Sequence, residues 1–158
     1  MKKLNVLLFI VSISFTIISF RLPKKPQQGT LQAGWYIISN DSGTQFELNH
    51  TKKYYDIDPV PIVTTKHLIS INVNMSPKVN GKSYATITFT FDAIGTSNMN
   101  KALAEFVYKR QIGLILNNKL KLVAEAPFSI KGSSISLSSS KFDLQQLKSL
   151  KEEVDTSH

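Results

Sequence analysis

The sequence predicts an α+β domain, an antiparallel sheet with two helices packed on one face, preceded by an amino-terminal apolar helix. Apolar and polar residues alternate over residues 69–73 and 85–91, the period of two that marks half-buried strands. Over residues 99–107 and 144–154 the apolar positions recur at helical spacing instead. From Tyr84 to Pro127 an alternating strand, an amphipathic helix and two short apolar runs follow one another without a gap.

The 158 residues, 42% apolar and 19% charged, suit one folded domain behind a targeting segment. Cysteine is absent, which excludes disulfides, thiolate metal sites, a cysteine nucleophile and an acylated lipoprotein cysteine. The formal charge of +8 is unevenly spread. Lys2, Lys3, Arg21, Lys24 and Lys25 come first with no acid among them, leaving 14 basic against 11 acidic groups after Gln28. A nucleic-acid surface gathers Lys and Arg on one face among aromatics. These lysines stand singly or in pairs, so no nucleic-acid partner is expected.

The chain divides into residues 1–20, a signal anchor or signal peptide; 21–33, a flexible linker; 34–56, an amino-terminal β-hairpin region; and 57–158, the α+β domain. Leu4 to Phe20 holds seventeen residues without a charge behind Lys2 and Lys3, the layout of an export segment. That length is at the lower limit of a bilayer span, roughly 17 to 25 residues. No Ala-x-Ala cleavage site follows, so the run reads as an uncleaved inner-membrane anchor with the domain on the periplasmic side. A cleaved signal peptide is the alternative. Pro23, Pro26 and Gly29 then resist both helix and strand.

Gly34 to Ser39 and Thr44 to Leu48 are strand-like around Asn40-Asp41-Ser42-Gly43, a turn-forming cluster, and are expected to pair as a first hairpin. Trp35 reads as a packing residue at a strand start. Asp56 to Thr64 carries Pro59 and Pro61, each forcing extended chain before it, and reads as a connecting arm. Ile69, Ile71 and Val73 then form one strand face, and Asn80-Gly81 turns the chain into Tyr84 to Phe91. There Ala85, Ile87, Phe89 and Phe91 face the core and Thr86, Thr88 and Thr90 face water.

Thr96 or Ser97 can cap a helix running to Arg110, with Met99, Ala102, Leu103, Phe106 and Val107 as its apolar stripe. Ile112 to Leu116 is apolar at every position, as in a strand covered on both faces or shielded at an edge, and Asn117-Asn118 turns it into Leu120 to Ala124. Pro127 ends that pairing. Phe128 to Ile130 and Ile135 to Leu137 read as a short strand pair. Ser140 with Asp143 opens the last helix, Lys141 to Val154, whose stripe is Leu144, Leu147, Leu150 and Val154.

From Ile112 to Pro127 (Ile-Gly-Leu-Ile-Leu-Asn-Asn-Lys-Leu-Lys-Leu-Val-Ala-Glu-Ala-Pro) the chain resembles the head of the first periplasmic domain of the SecD/SecDF protein translocase subunits. Pro61 to Thr64, Phe89-Thr90-Phe91-Asp92, Phe128 to Ile130, Ile135 to Leu137 and the closing helix extend the resemblance over about residues 57–154. It implies a ferredoxin-like layering of sheet and helices. It departs from the family at Asn118, where glycine is usual, and at Ser138-Ser139, which replaces another glycine. The family's proton-driven motor needs several membrane helices and this chain has at most one candidate, so the resemblance implies an isolated head without a relay.

No catalytic constellation is present. An enzyme would have to use His50 or His67 with Asp56, Asp58 or Asp92 and a serine, and no two of these stand at a recognised spacing. The serines at 138–140 lie in no Gly-x-Ser-x-Gly elbow. No catalytic, cofactor-binding or metal-ligating residue is assigned, and no small-molecule substrate is expected. The resemblance implies a non-enzymatic, membrane-anchored binding module that contacts unfolded or translocating polypeptide, or an envelope complex. Strand addition at an exposed sheet edge is its expected mode. A purely structural envelope protein is the alternative, and a hydrolase with an unrecognised site the remaining one.

Overall fold

The computed structural model describes residues 29–39, 43–49, 51–75, 84–105, 111–127, 130, 132–139 and 142–156. The expected anchor Leu4 to Phe20, the Asn80-Gly81 turn, His50, the stripe residues Phe106 and Val107, and Ser140 lie outside these residues. In chain order the elements are β1 (Gly34–Ser39), β2 (Thr44–Glu47), β3 (Tyr54–Thr64), a 3-10 turn (Thr65–His67), β4 (Leu68–Met75), β5 (Ala85–Phe91), α1 (Ala93–Ala104), β6 (Gln111–Leu116), β7 (Lys119–Glu125), β8 (Ser134–Ser139) and α2 (Leu144–Asp155).

The α+β class holds, with antiparallel strand pairs throughout, but the strands sort into two sheets, β2-β3-β1-β6-β7 and β4-β5-β8. The single ferredoxin-like sheet expected from the sequence is corrected here. Strand β6 is buried from Ile112 to Leu116, and a place between β1 and β7 covers its edges while side chains cover both faces. The free flank of β5 goes to β8, where Thr86, Thr88 and Thr90 meet Ser138, Ser136 and Ser134.

Two cores result. Ile87, Phe89 and Phe91 of β5 share the larger one with Trp35, Leu114, Met99 and Leu103 of α1, and Leu147, Leu150 and Val154 of α2. Trp35 meets Phe89 edge to face at 4.9 Å, so it is the packing residue that its position at a strand start indicated. The opposite face of the five-stranded sheet encloses Tyr36, Ile38, Phe46, Ile57, Ile115 and Leu120. Gly113 points into this second core, where a Cβ would lie 2.8 Å from Leu120 Cδ1 and 2.9 Å from Ile38 Cδ1. The sheet curls enough for Leu48, just past β2, to bridge Leu120 of β7.

Several local expectations are corrected. Strands β1 and β2 do not pair with each other, because β3 lies between them. The arm over Asp56 to Thr64 is most of β3. Its prolines are tolerated because β2 pairs only with Tyr54 to Ile57, and the register to β1 breaks between Ile57 and Pro61. Ile69 is exposed rather than buried, since a register break between Leu68 and Ser70 leaves it unpaired with β5 and turns Leu68 inward. Asp92, not Thr96 or Ser97, caps α1, accepting from the Gly95 amide at 2.7 Å. Asp143 caps α2 through the Gln145 and Gln146 amides. Residues 135–137 do form a strand, but its partner is β5, and the described Ile130 belongs to no strand.

Other features stand as read. Strand β5 alternates buried and half-buried without a break, and Asn117 and Asn118 adopt φ of 49° and 57°, the left-handed pair that a two-residue turn between β6 and β7 requires. Asn118 also explains its own identity: its Oδ1 accepts from the Leu31 amide at 3.0 Å, a bond that glycine would lack.

Candidate functional site

Of the residues an enzyme would have needed, the structure brings together His67 and Asp92 and leaves Asp56 and Asp58 with other partners. His67 Nδ1 lies 2.9 Å from Asp92 Oδ2, while the other oxygen of Asp92 caps α1 and the Asp92 amide donates to the His67 carbonyl at 3.0 Å. Hydrogen bonds, first from the Gly95 amide and then from His67, hold the Asp92 carboxyl below its ordinary pKa. This pair fastens the start of β4 to the start of α1, a corner joint with geometry of its own. Asp56 accepts from Gln45 Nε2 at 3.5 Å, and Asp58 accepts from the Val60 amide at 2.9 Å inside the β3 bulge. The hydroxyl of Ser138 pairs with Thr86 at 2.7 Å. Among the described residues no group of three acidic or histidine side chains is placed to hold a metal.

The concave feature lies elsewhere. A groove of about 610 Å³ runs between the outer edge of β7, one side of α2 and the segment after β2. It lies where β7, the last strand of its sheet, and α2 line one cleft. Leu48, Leu122, Phe142, Leu147 and Leu150 supply apolar surface, and Gln146 and Ser149 stand on the α2 wall. One margin is closed by Glu153, which takes Lys121 Nζ at 2.7 Å and Asn117 Nδ2 at 2.7 Å. Lys121 reaches that carboxylate from a register break, with Leu114 opposite Leu122 and Ile115 opposite Leu120. His67, Asp56, Asp58 and Asp92 do not line the groove.

The sequence contains each wall of this groove but did not single any out. The stripe on α2 reads as core, and β7 reads as half of a hairpin. Only their juxtaposition leaves a cleft. The one recognisable signal was the alternation of Leu120 and Leu122 with Lys119 and Lys121, which marks β7 as exposed on one side.

No family model and no curated protein matches the sequence. Solved structures do match. One is a crystal structure of SecDF in a super-membrane-facing form, with a TM-score of 0.52 and 9% identity over 77% of this chain and 18% of that one. Another SecDF structure matches with a TM-score of 0.51 and 10% identity over 78% of this chain and 62% of that one. This chain therefore spans less than a fifth of the first SecDF chain and under two thirds of the second. Among the described residues no helix is long and apolar enough to cross a membrane. At these identities the likeness is one of fold, and the fold is that of a SecDF-like periplasmic domain.

Proposed function

We propose that this chain is a non-enzymatic, membrane-tethered module whose domain lies outside the cytoplasm and holds segments of polypeptide for an export or envelope complex. The observation that carries this reading is the groove beside β7 and α2, whose lining sets apolar residues such as Leu48, Val123 and Phe142 beside polar Gln145, Gln146 and Ser149 and charged Lys53, Lys121, Asp143 and Glu153. Its fold supports the reading, because SecDF is described as a membrane component that enhances protein export. Leu4 to Phe20 supplies the tether.

The groove acts through side chains. Lys119, the register break at Lys121 and Glu125 guard the backbone edge of β7 against strand pairing. An extended polypeptide instead lays apolar side chains against the half-buried Leu48, Val123 and Phe142. Each leucine-sized side chain covered there contributes about 1.5–3 kcal/mol, and ordering the flexible chain consumes much of it. Affinity is accordingly modest, with Kd of about 10 µM to 1 mM.

The test places a photoreactive residue at Gln146 or Ser149 of the full chain in lipid nanodiscs and adds a permanently unfolded polypeptide. Crosslinks that saturate with polypeptide and disappear with a folded control are the expected result, unchanged by His67→Ala. Absence of crosslinks at millimolar polypeptide overturns the reading in favour of a structural envelope protein.

A further inference from the structure

Four strands lie at the outer edges of the two sheets: β2, β7, β4 and β8. Such edges present unpaired backbone groups, and proteins normally guard them with charge, proline, bulges or cover. Strand β2 is only four residues long, carries Glu47, and leads straight into the Leu48 bridge to β7. Lys119, Glu125 and a break at Lys121 guard β7. A break at Ile69 interrupts β4, and α2 packs against that strand. Among the described residues β8 shows none of these devices. Its sequence, Ser-Ile-Ser-Leu-Ser-Ser, lacks charge and proline, and its register to β5 runs unbroken from Ala85↔Ser139 to Thr90↔Ser134.

The hydrogen-bond phase of β8 is legible. Phe91 donates its amide to the Ser133 carbonyl at 2.8 Å, so that pair is of the hydrogen-bonded type and alternate pairs along the ladder share it. Thr90–Ser134, Thr88–Ser136 and Thr86–Ser138 are then the non-bonded pairs, whose side chains approach most closely. Their hydroxyls do meet, at 3.0, 2.9 and 2.7 Å. Two consequences follow. The backbone N–H and C=O groups of Ser134, Ser136 and Ser138 point away from β5, and their side chains lean back over it. The outer edge is left as a row of three donor–acceptor pairs, about 6.8 Å apart, with little side-chain bulk in front of them.

We propose that the outer edge of β8 takes an extended, uncharged polypeptide segment as an added strand. This rests on the reading of the chain as a polypeptide-holding module and gives it a second contact, one that works through backbone rather than side chains. The chemistry of the occupant follows from the sheet. Strands β4, β5 and β8 contain no charged residue, and Ser134, Ser136 and Ser138 continue the neutral face of Thr86, Thr88 and Thr90. One row of the added side chains lies beside those serines and suits small polar groups. The other lies beside the buried Ile135 and Leu137 and suits apolar ones, since a charge there would be desolvated without a partner. Main-chain pairing confers little further selectivity.

The experiment is amide exchange on the full chain in nanodiscs, with a synthetic peptide of alternating serine and leucine as probe and the same peptide carrying lysine in place of each leucine as control. At saturation the amides of Ser134, Ser136 and Ser138 slow by about tenfold or more, the equivalent of one main-chain hydrogen bond, and the lysine peptide has no effect. Ser136→Pro removes an outward donor and blocks the edge, so protection disappears and binding weakens by about tenfold. Ser136→Lys, at an exposed position that tolerates a long side chain, gives the same loss of binding while lowering the melting temperature no more than Thr88→Ala, which removes the same hydroxyl contact. Exchange at these amides that ignores the peptide overturns strand addition, while crosslinks at Gln146 would leave the groove standing. Protection at β8 without groove crosslinks supports the edge and removes the groove. Protection that rises with protein concentration alone, together with a dimer in sedimentation, overturns the proposal by showing that a second copy occupies β8.

Discussion

Asp92 serves two elements with one carboxylate. One oxygen caps α1 through the Gly95 amide, and the other meets His67 Nδ1. A Cβ on Gly95 would sit 2.9 Å from His67 Cβ, so the corner is closely packed. The folded carboxyl titrates below its ordinary value of 3.8, mainly through the Gly95 amide and secondly through His67. A carboxyl depressed in the folded state contributes stability above its unfolded pKa, and that contribution is lost as pH falls through the folded value. Melting temperature should therefore fall as pH drops below about 4, and Asp92→Ala should lower it at pH 7 while flattening its decline in acid. Equal acid sensitivity in the two proteins would remove Asp92 from this role. The carboxylate was visible in the sequence, but its partner stands 25 residues earlier. That spacing matches no catalytic or capping pattern, so only the fold brought the pair together.

Strand β5 is the element on which both views agree. Ile87, Phe89 and Phe91 are buried, Thr86, Thr88 and Thr90 are not, and β4 and β8 flank it on either side. Phe89 is fully buried against Trp35, so Phe89→Ala should cost roughly 3–5 kcal/mol in chemical denaturation. Thr88→Ala gives up one exposed hydroxyl contact to Ser136 and should cost less than about 1 kcal/mol. Comparable losses from the two substitutions would mean that the strand faces are reversed. Strand β3 is the contrasting element. Its prolines read as an arm because proline is rare inside sheets, and they are accommodated where β2 ends and the register to β1 slips.

At the level of the whole chain, an α+β domain of SecDF-like fold follows a seventeen-residue uncharged run and a proline-containing linker. Gly29 already packs beside Thr44, and the Leu31 amide is tied to Asn118. The linker thus reaches the domain at the β6–β7 turn. If Leu4 to Phe20 is retained, alkaline carbonate leaves the protein in the membrane pellet. Release with a new amino terminus between Ser19 and Gly34 would replace the anchor by a cleaved signal peptide. Either outcome leaves the groove and the β8 edge as they are, because both are built from Leu48 and later residues.

By itself the sequence determined what is encoded within about ten residues: the faces of β5, the tight turn at Asn117-Asn118, the inward positions Met99 and Leu103 of α1 and Leu147, Leu150 and Val154 of α2, and the apolar run of β6. A repeat of two or of about 3.6 reports which side of an element leaves water, and that holds whatever the element packs against. Which strand lies beside which was decided by the tertiary structure alone. It set β3 between β1 and β2, gave β5's second edge to β8, and opened a cleft between β7 and α2. Pairing depends on how two cores are filled at once across long sequence separations. Gly113 yields its volume to Leu120 and Ile38, and the β8 serines find threonines 44 to 52 residues away. An alternating strand carries no record of its neighbour, which is why the elements were legible before the sheets were.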